Sequence, residues 1–171
     1  RRQRQVCIRD SLWKHRVPPH HAPTTEAALW EQKLSISNLH QARNRIAIKD
    51  NFVLGDEDTA IGEVMEFKKN GGSTVVEVTS IGIGRDPLAL RRVANATGLN
   101  VIMGAGWYQR AYHPDDMGER TVEELAEEII GDITTGVGDT GIRSGIIGEV
   151  GVNGDPLTPN EIKSLQASAR A

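Results

Sequence analysis

An acid closes one of the most apolar stretches of this chain. In "TGIRSGIIGEVG", residues 140–151, Ile142, Ile146, Ile147 and Val150 read as a buried strand, and Glu149 stands near its end. An unpaired carboxylate in a dry core costs several kcal/mol or gives up its charge. Strand alternation puts Ile147, Glu149 and Gly151 on one face and Gly148 and Val150 on the other. If the first face looks into a ring of strands, a divalent cation would offset the charge and Glu149 would be a metal ligand. The competing reading pairs Glu149 with a nearby Arg or Lys, or leaves it at the surface.

Other chemistry-bearing residues are sparse. Histidines stand at 15, 20, 21, 40 and 113, with neither an H-x-H pair nor an H-E-x-x-H, so no strand or helix aims two imidazoles at one point. His20 and His21 lie between prolines and read as surface loop. His113 precedes Pro114 and reads as a loop-positioning residue. The single cysteine, Cys7, excludes an internal disulfide and a cysteine zinc cluster, and it has no evident partner for nucleophilic work. No catalytic side chain is identifiable from these residues alone. Trp107 and Tyr108 follow an apolar strand, where they could line the mouth of a substrate pocket or pack as a lid on its rim. Arg85 belongs to "GIGRDP", which fails as a G-x-G-x-x-G loop because Pro87 takes the last glycine position. A tight turn and helix cap explain it, and a phosphate held by Arg85 and the amides of residues 87–89 is the remaining reading.

The elements that must position these residues are legible. After an irregular stretch over residues 1–50, with a short helix near 25–33, the chain becomes regular. "DEDTAIGEVMEFKKNGG" spaces Ile61, Val64, Met65 and Phe67 as a helix and stops at Gly71 and Gly72. "STVVEVTS" is a strand. Asp86, Pro87 and Gly98 then give a cap, a first turn and a stop for a second helix. "LNVIMGAG" is a second strand. Thr121-x-x-Glu124 opens a third helix, residues 141–151 form a third strand, and Thr158, Pro159 and Glu161 open a last helix. Strands separated by helices run parallel, as in a doubly wound sheet or a (β/α) barrel.

Composition excludes several classes. The net charge of -3, from 20 basic and 23 acidic residues, argues against a nucleic-acid surface. No apolar run nears the roughly 18 residues of a membrane span, and the polar N-terminus lacks a signal-peptide core, so a cytoplasmic setting is expected. Aromatic content of 4% leaves few stacking platforms for bases or sugars.

The runs "GGSTVVEVTSIGIGRDPLALRRVANATGLNVIMGAGWY", "GIRSGIIGEVG" and "LTPNEIKSLQASARA" resemble the phosphotriesterase-related family of the amidohydrolase superfamily. The likeness covers roughly residues 51–171 and is weaker over residues 13–51. It implies an α/β fold, a partial (β/α)₈ barrel of the TIM type, with residues 51–171 as the N-terminal half of the hydrolase domain. It also implies a metal-dependent hydrolase of ester, lactone or phosphotriester bonds in a catabolic role. Two divalent ions, usually zinc, share a bridging hydroxide in such enzymes. The family's bridging ligand is a carbamylated lysine in some branches and a glutamate in the branch with "GIIGE", which points to Glu149.

The departures matter equally. The family's first-strand H-x-H has no counterpart in "RRQRQVCIRD", and its later histidines and aspartate would follow residue 171. The expectation is therefore an incomplete chain that neither holds the metal pair nor turns over alone. Its expected partners are a small ester-like molecule and, with open strand edges, further copies of itself. A non-catalytic barrel fragment or interaction module is the alternative function. An open sheet binding a phosphorylated ligand at Arg85 is the third.

Overall fold

The computed structural model describes residues 24–43, 48–52 and 55–171, so Cys7, His15, His20 and His21 lie outside the described residues. Helices α1 (Thr24–Trp30) and α2 (Leu39–Arg43) precede a short 3-10 turn at Lys49–Phe52. This stretch, read as irregular, buries Trp30 and Ile48. Asn38 secures the bend before α2, accepting from the Ser35 amide at 2.8 Å and donating to the Lys33 carbonyl at 2.9 Å.

The remaining elements follow their punctuation. Helix α3 (Glu57–Lys69) begins where Asp56 accepts the Thr59 amide and ends before Gly71, whose φ of 83° suits glycine. Strand β1 is Thr74–Glu77. Helix α4 (Pro87–Thr97) carries Asp86 as its cap and stops at Gly98 in the left-handed region. Strand β2 is Asn100–Ala105. Helices α5 (Val122–Thr134) and α6 (Pro159–Arg170) each open with a reciprocal capping box, Thr121 with Glu124 and Thr158 with Glu161. Between them lies β3, Ile146–Ile147.

The strands lie in the order β1-β2-β3, all parallel, with Val75 beside Val101, Glu77 beside Met103 and Ala105 beside Ile147. Val75 and Met103 pack with Val64 of α3 and with Leu90 and Val93 of α4. Ala105 and Ile147 pack with Leu125 and Ile129 of α5 and Ala167 of α6. All four strand residues have the same parity, so α3 to α6 cover a single face of the sheet. A doubly wound sheet carries helices on both faces. Sequential parallel strands with one helical face are instead the wall of a (β/α) barrel. Val76, Val78, Ile102, Gly104 and Ile146 occupy the other parity and belong to the barrel's inner side.

The third strand corrects two expectations. Its ladder is two residues long because Gly145 and Gly148 flank it, and Gly148 takes φ 146°. Ile147, expected to look inward, packs on the helices. Past it the Gly148 amide still bonds to the Ala105 carbonyl at 2.8 Å, but the Glu149 amide crosses to the Val78 carbonyl of the first strand's end at 3.0 Å. This crossing depends on Gly104, since a Cβ there would stand 2.0 Å from the Gly148 carbonyl oxygen.

A substitution pair tests that account. Gly104→Ala should destabilise the fold by about 1–3 kcal/mol through overpacking. Gly62→Ala, where a Cβ meets nothing within 4 Å, should be neutral or stabilise by roughly 0.5–1 kcal/mol through helix propensity. The urea midpoint should therefore fall for Gly104→Ala and hold or rise for Gly62→Ala.

Candidate functional site

Reactive groups of (β/α) barrels gather at the C-terminal ends of the strands. At the end of β1, Glu77, Thr79 and Ser80 are all buried. Glu77 shares the helix-facing parity of Val75, and its carboxylate accepts the Thr79 amide at 3.0 Å and the Thr79 hydroxyl. Ser80 has the inner parity, and its hydroxyl finds no partner among the described residues.

The loops beyond the strands interlock. The Ile81 amide bonds to the Gly106 carbonyl at 3.1 Å, which extends the β1–β2 pairing as an isolated bridge from Ile81 to Trp107. Gly82, at φ 92°, passes so close to Tyr112 that a Cβ would stand 1.9 Å from its carbonyl oxygen. Tyr108 stacks on Tyr112 with centroids 5.7 Å apart, and its ring fills the space beside Gly151, where a Cβ would meet it at 2.5 Å. The loops after β1, β2 and β3 thus share one contact surface.

The expected pocket residues take different places. Tyr108 is partly buried at this junction. Trp107 is fully buried, packs among Ala105, Met117, Leu125 and Ala167, and has the Arg120 guanidinium 5.8 Å from its ring. Packing beneath the loop has claimed its apolar surface, so it forms core here and not pocket wall. His113 Nε2 must carry its proton, because it meets the Tyr108 carbonyl at 2.9 Å, and that bond closes the loop. Burial pushes its imidazole below the ordinary range, opposed by this hydrogen bond and by the negative charge of Glu161.

Arg85 is not free to hold a phosphate. Its Nη1 lies 2.6 Å from Asp132 and 3.3 Å from the Gly104 carbonyl, and both charged side chains are more than nine-tenths buried. The adjacent helix terminus is filled as well, since the Asp86 carboxylate accepts the Ala89 amide at 3.0 Å. Ser144 completes the knot, giving its hydroxyl to Gly104 at 3.1 Å and its amide to the Asp132 carbonyl at 2.8 Å.

Glu149 is partly buried beside the end of β1. Gly148 breaks the alternation before it, so the orientation of Ile147 does not carry over. No hydrogen bond or ion pair reaches its carboxylate among the described residues, so the pairing with Arg or Lys is not formed. No three His, Cys, Asp or Glu side chains among the described residues cluster closely enough to hold a metal ion.

Three charged residues emerge that sequence reasoning passed over. Asp132 continues the apolar stripe of Leu125 and Ile129, and an acid on such a stripe is a readable sign of a buried partner. Glu161, read only as a cap, is fully buried and also accepts the amides of Asn153 and Gly154 at 2.8 and 3.1 Å. Lys163 binds three carbonyls of the loop after β2. Nothing local marks these last two roles, which depend on loops returning from elsewhere.

Comparison with known proteins follows this geometry. The phosphotriesterase family model matches residues 29–171. A phosphotriesterase-related protein of Nematostella vectensis is 43% identical over 144 residues, covering 82% of this chain and 41% of its own. An N-acetyltaurine hydrolase of Dictyostelium discoideum is also 43% identical over 144 residues, covering 84% of this chain and 39% of its own. The crystal structure of a resiniferatoxin-binding protein from Rhodobacter sphaeroides superposes with a TM-score of 0.89 at 36% identity, over 98% of this chain and 46% of that one. The chain therefore spans less than half the length of the relatives it matches.

Two measurements check the buried charges. Asp132→Asn or Arg85→Met alone should cost about 3–5 kcal/mol, since each strands a buried partner. The double variant should cost less than the sum of the two, as read by urea unfolding. Glu161 titrates at about 2 against an ordinary 4.5, held down first by the Asn153 and Thr158 amides against the opposing effect of burial. Because its folded value is the lower one, its contribution is complete above pH 4.5 and drains as pH falls towards 2. Glu161→Gln should be less stable at neutral pH and lose less stability across that acid window.

Proposed function

We propose, from a chain that belongs to the phosphotriesterase family, that it forms the β1-to-α6 wall of a barrel hydrolase acting on a small acyl compound. One observation carries the substrate class: 43% identity over 144 residues to an N-acetyltaurine hydrolase. An N-acyl amide is accordingly the first substrate to test, with ester, lactone and phosphotriester bonds as neighbouring chemistry. A cytoplasmic catabolic role fits a chain with one cysteine and, among the described residues, no helix long and apolar enough to cross a membrane.

Family resemblance implies two divalent metals, which supply an activated hydroxide when bound. The described donors do not fit such a pair. Glu149 is one carboxylate and belongs to no group of three or more such donors among the described residues, and a binuclear centre needs several ligands around each ion. No catalytic step is therefore assigned to these residues. Their part is to shape the mouth: Tyr108 and Tyr112 would wall it on one side, and Glu149 would offer its carboxylate from the end of the third strand. Its unpaired state supports that reading.

One observation favours the second reading, a non-catalytic interaction module. Ile146, Ile162 and Leu165 are exposed by 42%, 42% and 37%. Ile162 and Leu165 lie on α6, over the helical face, and Ile146 lies on the inner face of β3. Concentration-dependent association in sedimentation would support it.

The deciding assay uses N-acetyltaurine, an aryl ester, a lactone and a phosphotriester. The 171-residue chain should turn over none of them and bind fewer than two zinc ions by elemental analysis. A polypeptide of the relatives' full length containing this sequence should hydrolyse N-acetyltaurine. In it, Glu149→Gln should lower kcat/KM by about a thousandfold or more, the scale on which metal activation contributes. Two tightly bound metals on the short chain, or an active Glu149→Gln enzyme, would overturn the assignment.

A further inference from the structure

Helix α6 holds more than its own end. A capping box requires only the exchange between Thr158 and Glu161. Here Glu161 Oε1 also accepts the Asn153 amide at 2.8 Å and the Gly154 amide at 3.1 Å, while Oε2 takes the Thr158 amide at 2.9 Å and its hydroxyl at 2.8 Å. Four donors saturate the carboxylate. They fix the loop after β3, the one that follows Glu149. Gly154 is shaped to that grip, since a Cβ there would stand 2.6 Å from Glu161 Oε2.

Two residues on, Lys163 does the converse. Its Nζ donates to the carbonyls of Met117, Gly118 and Arg120 at 2.9, 3.2 and 2.6 Å. An ammonium has three donors, and all three are spent on the loop after β2. A cation in the N-terminal half of a helix gains nothing from the macrodipole, so the carbonyls explain its place. The same loop carries Tyr108, whose ring rests on Gly151 of the other loop.

The geometry points to Glu161 and Lys163 as positioning residues that lock the loops after β2 and β3 into one unit at the barrel mouth. An anion that gathers amides and a cation that gathers carbonyls, two positions apart on one rigid helix, fix both loops against the same frame. Both act through the loop backbone that they hold. The inference rests on the hydrolase reading only for what the mouth receives, because loop order can be measured without turnover.

Hydrogen exchange by mass spectrometry on the full 171-residue chain reads the lock directly. Glu161→Gln and Lys163→Met should each raise exchange about tenfold or more in both loops, residues 107–120 and 151–158, while β1 and β2 keep their protection. Lys163→Arg, which retains donors for the carbonyls, should restore the pattern. Exchange confined to the loop nearest the substitution, an equal rise throughout the strands, or no rescue by arginine would each overturn the lock. In a polypeptide of the relatives' full length, Lys163→Met should raise KM for N-acetyltaurine about tenfold and Lys163→Arg should return it. An unchanged KM overturns the positioning role, whereas no turnover by the unsubstituted protein overturns the hydrolase reading alone.

Discussion

One peptide unit in the middle strand governs how the strand ends meet. Gly104 lacks a side chain, and the Gly148 carbonyl occupies the space a Cβ would need. Its own carbonyl accepts both Arg85 and Ser144. Two segments distant in sequence converge on this point: the turn after β1 and residues 144–148, which enclose β3. A side chain at 104 would push the end of the third strand away from the first, and the Glu149 amide would lose the Val78 carbonyl. The position of the acid at the mouth follows from a missing methyl group in the strand beside it.

Around that point the charge arrangement is economical. Arg85 and Asp132 are taken out of water together, which on its own is a poor source of stability. Their pairing becomes tolerable because the guanidinium also reaches the Gly104 carbonyl and Ser144 ties down the backbone of Asp132. The knot joins the β1–α4 turn to α5 from inside the helical layer. Among the described residues it leaves the inner side of the sheet free of ion pairs, with Val76, Val78 and Ile102 as its wall. A barrel that keeps its fixed charges outside can devote its mouth to loops.

How much of this was legible depended on the range of the interaction. Caps and stops are local, so Asp86, Gly98, Thr121 and Thr158 could be read from the sequence and the helices stand where they were expected. Parallel strands followed from the alternation of helices and apolar runs. The third strand was overread, because β-branched residues at 146, 147 and 150 outweighed the glycines that end the ladder. For Trp107, read either as pocket lining or as a packed lid, the position after a strand was visible, but its burial beneath the loop that follows was not. The loop contacts of Glu161 and Lys163 were beyond reach, since those partners are backbone groups, and backbone groups leave no trace in residue identity.

Two acids of this chain solve the problem of burial in opposite ways. Glu161 is fully buried without a bonded cation, and four donors replace the water it lost, so its charge persists to low pH. Such a carboxylate is finished: every lone pair is used, and a further ligand would have to displace structure. Glu149 is the reverse case. Its backbone amide is bound, its carboxylate has no donor among the described residues, and it stands where barrel chemistry gathers. Glu149 is only partly buried, so solvent can hydrate oxygens that no side chain or amide meets, whereas the donors for Glu161 must come from within the fold.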